Sequence, residues 1–192
     1  MYFTQIDEII AGTKTQTRRI VKPGENEWVK SFTPPIEVST VLTPTHRIKW
    51  QVGRDYAVSP GRGKPGVWWK PGGSTYYTRH DGVWIPSMWK GGQEVPEYLL
   101  EDLENMGLQP LRIVITAIRR EPLQSISEED AIAEGCTVWR GGAVVGFGEV
   151  YEVPGYTAIE AYHDLWDCIN TRPGTRWDDN PDVWVIEFNI KH

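Results

Sequence analysis

Apolar residues recur three and four positions apart at two places in this chain, which is the spacing of one helix face. Ile6, Ile9 and Ile10 predict a short amphipathic helix that ends at Gly12, because glycine is common just past a helix C-terminus. Residues 158–169 predict a longer helix. Its core-facing positions are Ile159, Tyr162, Leu165, Trp166 and Ile169.

Capping residues predict where two helices begin and end. Ser127 is an N-cap, and Asp130 takes the capping-box position three residues later. The helix 128–134 should stop at Gly135, which places a carboxylate at the unfavourable end of the helix dipole. Thr157 should cap the longer helix that follows it.

Runs rich in β-branched residues predict the strands. The clearest run is 111–120, and 183–190 predicts a strand near the C-terminus. Shorter strands are expected within 36–42 and within 48–58, where Gly53 marks a turn.

The order of these elements does not follow βαβ alternation, which excludes a doubly wound parallel sheet. Five to seven short strands and three or four helices favour a mixed α+β fold, a small β-barrel with short helices over its ends. A length of 192 residues suits a single domain over 1–192. Insertions are expected at about 60–105 and 138–156.

The first insertion is rich in glycine, proline and tryptophan and contains a candidate binding surface. Arg62 and Lys64 lie in a Gly/Pro loop just before Trp68 and Trp69. Cations beside adjacent indoles are typical of a stacking site for a base or sugar, although a surface turn with stray charges has the same pattern. A short acidic helix is expected over 96–106, and the second insertion predicts a glycine-rich loop.

The charge of the chain is divided unevenly along its length. The formal net charge is −6, yet residues 1–80 carry a net +6 and residues 81–192 a net −12. This balance argues against a protein that coats a nucleic-acid backbone. It leaves room for a local basic cleft that recognises one phosphate or a few nucleotides.

Cysteine usage and hydropathy give the expected compartment. Cys136 and Cys168 are the only cysteines; their spacing does not suggest a zinc site, and no secretory signal precedes them. No apolar run is long enough for a membrane span. We therefore expect a cytoplasmic protein with reduced cysteines, both buried as small hydrophobes, with no metal, no cofactor and no membrane partner.

The segment 12–19 concentrates polar chemistry in a short extended stretch. Side chains alternate in such a stretch, so Lys14 and Thr17 would take opposite faces unless the chain twists after Gly12. Arg18 and Arg19 could each hold a phosphate or a base edge, or be ordinary exposed strand arginines. Spacing alone favours the simplest interpretation, a solvated edge strand.

Several distant segments together resemble one family, the ASCH domains, whose β-barrel is similar to the PUA RNA-binding fold. The family pattern Gly-x-Lys-x-x-Thr-x-Arg corresponds to residues 12–19 here. The resemblance continues in 55–58, 113–121, 123–135 and 184–188. It implies a PUA-like barrel and an RNA or modified-nucleoside partner, with single-stranded RNA as one form of that partner.

One bacterial branch of this family consists of amidohydrolases that remove the acetyl group of N4-acetylcytidine. By pattern, the resemblance places the catalytic groups at Lys14, Thr17 and Glu134. A neutral Lys14 amine could take the proton of the Thr17 hydroxyl, or a cationic Lys14 could stabilise the oxyanion while Glu134 acts as the base. The residues leave both assignments open.

Two other functions fit the same residues. A non-catalytic reader of RNA or of a modified base would use aromatic walls, with Trp68 or Trp69 as candidates. A metal-independent ribonuclease would use Lys14 with a tyrosine or histidine on a phosphodiester. Acetate release from N4-acetylcytidine, RNA affinity and RNA cleavage separate the three.

Overall fold

The computed structural model describes residues 1, 3, 5–27, 35–60, 66–73, 76–80, 83–86, 105, 107–139, 142–145 and 157–191. These residues form a mixed α+β fold made mostly of strands. The helices are α1 (Ile6–Ile10), a 3-10 turn (Leu123–Ser125), α2 (Glu128–Ala133) and α3 (Ala158–Ile169). The strands are β1 (Gln16–Ile20), β2 (Ile36–Glu37), β3 (Thr40–Leu42), β4 (Ile48–Gln51), β5 (Asp55–Ala57), β6 (Trp68–Trp69), β7 (Tyr76–His80), β8 (Val83–Pro86), β9 (Gln109–Pro110), β10 (Arg112–Pro122), β11 (Cys136–Trp139), β12 (Gly142–Val145) and β13 (Asp182–Lys191).

The central sheet is built around the two longest strands, β10 and β13, which pair antiparallel. Its order is β1-β13-β10-β2, and β5 also pairs with β10. Both faces of β13 are covered, because Val183 and Val185 pack against α3 while Trp184 and Ile186 pack in a second cluster with Val41 of β3. This double coverage explains why the apolar run of β13 is nearly continuous.

The predicted closed barrel is not seen in the part of the chain that the structure describes. Its strands instead form four separate sheets: the central one, a four-stranded sheet in the order β8-β7-β6-β9, and the hairpins β3-β4 and β11-β12. The thirteen strands exceed the five to seven expected, because many are only two to four residues long and leave little periodicity in the sequence.

The second insertion was predicted to be a glycine-rich loop. The structure instead shows a hairpin of β11 and β12 at its start. The sequence 136–145 contains two adjacent glycines that connect β-branched residues, which is a hairpin signal that the glycine content obscured. The predicted helix 96–106 falls almost entirely outside the described residues.

The caps predicted from the sequence are confirmed. The Ser127 hydroxyl accepts a hydrogen bond from the Asp130 backbone N–H at 3.1 Å. Thr157 and Glu160 form a reciprocal capping box at the start of α3, at 3.2 and 2.8 Å. Gly135 follows α2 with a φ of +97°, a conformation that favours glycine.

The cysteine prediction is half correct. Cys136 is buried, and burial raises the pKa of its thiol to about 12, but Cys168 on α3 is exposed. Within the described segments, no helix combines the length and apolar character needed to cross a membrane.

Candidate active site

The second half of the polar segment 12–19 lies in β1, which is at the edge of the central sheet and yet is not exposed to solvent. Gln16, Thr17 and Arg18 are each at most 3% exposed, so both faces of the strand are covered. The exposed residues of the segment, Gly12, Thr13 and Thr15, all precede the strand. The prediction of a solvated edge strand is therefore wrong, because strand position does not determine what packs over the edge.

The end of α2 covers part of this edge. The Thr15 backbone N–H donates to the Ala133 carbonyl at 2.9 Å, and Lys14 and Glu134 form an isolated antiparallel bridge. On its other side, the Thr15 carbonyl accepts from the Phe188 N–H of β13 at 2.9 Å. The bridge brings a residue 120 positions away beside Lys14.

Glu134 is held at the end of α2 by two buried cations. Its Oε2 lies 3.1 Å from Lys14 Nζ, and its Oε1 lies 3.4 Å from Arg18 NH1. Lys14 also donates to the Glu134 backbone carbonyl. Glu134 is the C-cap of α2, so these cations offset the unfavourable interaction between its carboxylate and the negative end of the helix.

Arg18 is the centre of a buried charge network. Its NH2 lies 2.7 Å from Asp130 Oδ2 and 2.9 Å from Glu121 Oε1, and none of its side chain is exposed. Arg119 pairs with the same two carboxylates, at 2.7 and 3.0 Å. Burial opposes ionisation of Asp130, but Arg18 and Arg119 hold the pKa of that carboxyl below its usual value.

Gln16 completes this network on the side of Arg18. Its amide satisfies both neighbours when the nitrogen faces Asp130 Oδ1 at 3.2 Å and the oxygen faces Arg18 NH1 at 2.7 Å. The guanidinium also lies 5.9 Å from the ring centroid of Tyr162. Arg18 thus orients Glu134 and is not the exposed strand arginine that the sequence allowed.

The protonation of Lys14 is governed by two opposing influences. Burial lowers the pKa of its ammonium group, while the adjacent Glu134 carboxylate raises it and offsets only part of the effect. The net direction is downward from the usual lysine value. Lys14 is therefore easier to deprotonate than a surface lysine.

A cavity of ≈ 340 Å³ brings these groups together. This volume is near the lower end of small-ligand sites, which span roughly 300–1,000 Å³. The cavity adjoins the edge strand β1, so side chains from both faces of that strand reach it. Its lining residues are Phe3, Gln5, Lys14, Thr17, Arg18, Arg19, Ile20, Lys22, Lys49, Trp50, Glu134, Tyr162, Leu165, Trp166, Ile169 and Asn170.

The three groups proposed for catalysis, Lys14, Thr17 and Glu134, thus line one cavity, each with 3–5% of its surface exposed. Among the described residues, the Thr17 hydroxyl has no hydrogen-bond partner. The chain leaves the extended conformation at Gly12, which has a φ of +75°, just before these residues. Arg18 and Arg19 line it as well.

The two predicted stacking residues, Trp68 and Trp69, do not line this cavity. Trp69 is 2% exposed in the cluster of Phe3, Ile9 and Leu111, so it offers no open ring face for stacking. Trp68 is partly buried beside it in β6 and does not line the cavity. Arg62 and Lys64 lie outside the described residues.

Several lining residues could not be assigned to a site from the sequence. Tyr162, Leu165 and Trp166 belong to the apolar face of α3, a pattern that predicts packing and nothing more. Trp50 and Lys49 are brought in by β4. The high tryptophan content was the one feature of the sequence that indicated an aromatic pocket, and it led to the prediction of Trp68 and Trp69 as its walls.

No His, Cys, Asp or Glu side chains in the described ranges form a group of three or more suited to a metal ion. Compared with protein-family models, curated proteins and solved structures, the chain gave no match.

Proposed function

We propose that this chain is a divergent ASCH-type amidohydrolase that removes an acyl group from the exocyclic amine of a modified nucleoside, with N4-acetylcytidine as the test substrate. The observation that carries the proposal is the convergence on one cavity of a buried lysine, an ion-paired carboxylate and a hydroxyl that has no partner among the described residues. In this proposal β1, β10 and β13 correspond to strands of the PUA-like barrel.

The proposed reaction begins with attack of the Thr17 hydroxyl on the acetyl carbonyl. Lys14 in its neutral form takes the hydroxyl proton, and its lowered pKa favours this role over a permanently cationic one. The C–N bond then breaks, and the leaving amine receives that proton. Water hydrolyses the resulting threonine ester and releases acetate.

Glu134 serves as the positioning group for Lys14. Its carboxylate and its carbonyl both accept from Nζ, which fixes the direction of the amine. Arg18 holds the other carboxylate oxygen and so fixes Glu134. The rings of Phe3, Trp50 and Tyr162 supply apolar walls against which a flat base can pack.

The first test measures acetate release from N4-acetylcytidine. Wild-type protein should release acetate and cytidine in equal amounts. Lys14→Met should lower kcat/KM by about 10²-fold or more, because it removes the base while keeping side-chain length. Lys70→Met is the matched control, since Lys70 is exposed and does not line the cavity. No acetate from the wild type would remove the proposal for this substrate.

A second prediction concerns pH. If neutral Lys14 is the base, kcat/KM rises with pH and levels off above the pKa of Lys14, with a midpoint below the ordinary lysine value of about 10.4. Glu134→Gln removes the charge that raises this pKa, so the midpoint should move to lower pH. A midpoint that Glu134→Gln leaves in place would contradict the assignment of the base.

The second candidate function is a non-catalytic reader of a modified base. The aromatic lining of the cavity supports this function as much as it supports the amidohydrolase. The walls would be Phe3, Trp50 and Tyr162 in place of Trp69. Binding of N4-acetylcytidine without acetate release, retained in Lys14→Met, would support the reader and exclude the hydrolase.

A further inference from the structure

The cavity contains three cations that the proposed reaction does not use. Arg19, Lys22 and Lys49 line it together with Lys14 and Arg18, whereas Glu134 is the one acidic lining residue in the described part of the chain. Glu134 already pairs with Lys14 and Arg18. The chain as a whole has a net charge of −6, so this surplus of positive charge is local to the cavity.

These cations lie towards the open end of the cavity. Lys14 is 5% exposed, whereas Lys22 is exposed and Arg19 and Lys49 are partly exposed. The cavity therefore extends from the buried lysine to a cationic mouth at the surface. A ligand with its reacting group at Lys14 would place its outer part among Arg19, Lys22 and Lys49.

Neighbouring side chains hold two of these cations in place. Lys49 Nζ lies 3.9 Å from the ring centroid of Trp50, and the Arg19 guanidinium lies 5.6 Å from that of Phe3. Glu25 pairs with Lys49 through Oε1, while its Oε2 accepts from the Trp184 indole N–H at 3.1 Å. Glu25 therefore anchors Lys49 beside the cavity.

The charges around Lys49 favour the binding of an anion. Burial lowers the pKa of its ammonium group, and the charges of Lys22 and Arg19 lower it further, against the opposing influence of Glu25. Like charges gathered beside a cavity repel one another, and a bound anion would relieve that repulsion.

We infer that the mouth of this cavity binds a phosphate group, so that the substrate is a modified nucleotide and not a free nucleoside. The inference rests on the proposed function for the identity of the base. Lysine and arginine are the side chains that bind phosphate oxygens most strongly. The phosphate could belong to a free mononucleotide or to a nucleotide within an RNA strand.

The experiment compares N4-acetylcytidine, its 5′-monophosphate and a short single-stranded RNA that contains one acetylated cytidine. For wild-type protein, kcat/KM should be at least about tenfold higher for the phosphorylated substrates than for the nucleoside, mainly through KM. In Lys22→Gln/Lys49→Gln this ratio should fall towards one. Lys70→Gln, which removes one positive charge outside the cavity, should keep the wild-type ratio.

Binding distinguishes failure of this inference from failure of the proposed function. Calorimetry with cytidine and cytidine 5′-monophosphate needs no turnover, so a phosphate-dependent gain in affinity that the double substitution removes supports the inference even if no acetate is released. Equal affinities and equal kcat/KM values for nucleoside and nucleotide would overturn it while leaving the hydrolase intact. A mononucleotide as good as the RNA identifies the free nucleotide as the substrate; a preference for the RNA identifies the strand.

Discussion

Arg18→Met is expected to lower the free energy of unfolding by about 3–5 kcal/mol, measured by urea unfolding at neutral pH. Arg18 is fully buried and lies within 3.4 Å of the carboxylates of Glu121, Asp130 and Glu134. Methionine fills much of the same volume but leaves these carboxylates without their shared cation. The loss is therefore electrostatic, because the three carboxylates lose a fully buried cation and keep only Arg119, which pairs with Glu121 and Asp130, and Lys14, which pairs with Glu134.

The matched control for this substitution is Arg176→Met. Arg176 is 56% exposed and lies 3.7 Å from Asp167, so the same change there should cost at most about 1 kcal/mol. Adding Asp130→Asn to Arg18→Met should recover part of the lost stability, since it removes one of three neighbouring carboxylate charges that Arg18 no longer offsets. Equal losses at Arg18 and Arg176 would show that the network is accessible to solvent.

Much of the local structure could be predicted because its determinants lie close together in sequence. The Ser127 and Thr157 caps and the stop at Gly135 each depend on contacts within a few residues. The long strands β10 and β13 were equally clear, since a run of apolar β-branched residues needs no distant partner to be recognised. Two-residue strands such as β6 and β9, which pair with each other, exist only through pairing and leave no such signal.

The site could be predicted only in part. Lys14, Thr17 and Glu134 were chosen through a family resemblance, whereas spacing alone favoured a solvated strand. What brings Glu134 to Lys14 is a backbone bridge across 120 positions, which no local pattern reports. The burial of Arg18 could not be predicted for the same reason, because the carboxylates that pair with it come from β10 and α2.

The aromatic lining shows a different limit. The apolar spacing of α3 correctly predicted that Tyr162 and Trp166 face inward, and both are 3–4% exposed, but Ile169, which it also placed on the core face, is 50% exposed. A residue that packs in the core and a residue that borders a cavity both face inward, so they have the same periodicity in the sequence. The opposite error was made at Trp69. Its indole was predicted to bind a ligand because cations lie near it in the sequence, but it is buried in an apolar cluster.

Thr17→Val is expected to lower kcat for acetate release by roughly 10⁴-fold or more, because it removes the proposed nucleophile while keeping the branched shape of the side chain. Thr17 is 3% exposed and pairs with Ile186 of β13, so valine should fit the strand without loss of stability. The measurement is single-turnover release of acetate, combined with mass spectrometry of the peptide that contains Thr17. In wild-type protein stopped with acid during turnover, that peptide should carry an acetyl group.

The neighbouring hydroxyl provides the control. Thr15 belongs to the same segment and has the same side chain, but it is exposed and does not line the cavity, so Thr15→Val should retain wild-type activity. If Thr17→Val retained most of the activity and no acetylated peptide were found, water would be the nucleophile. Glu134 would then be the better candidate for the base, because Lys14, already hydrogen-bonded to it, would serve best as a cation that stabilises the oxyanion.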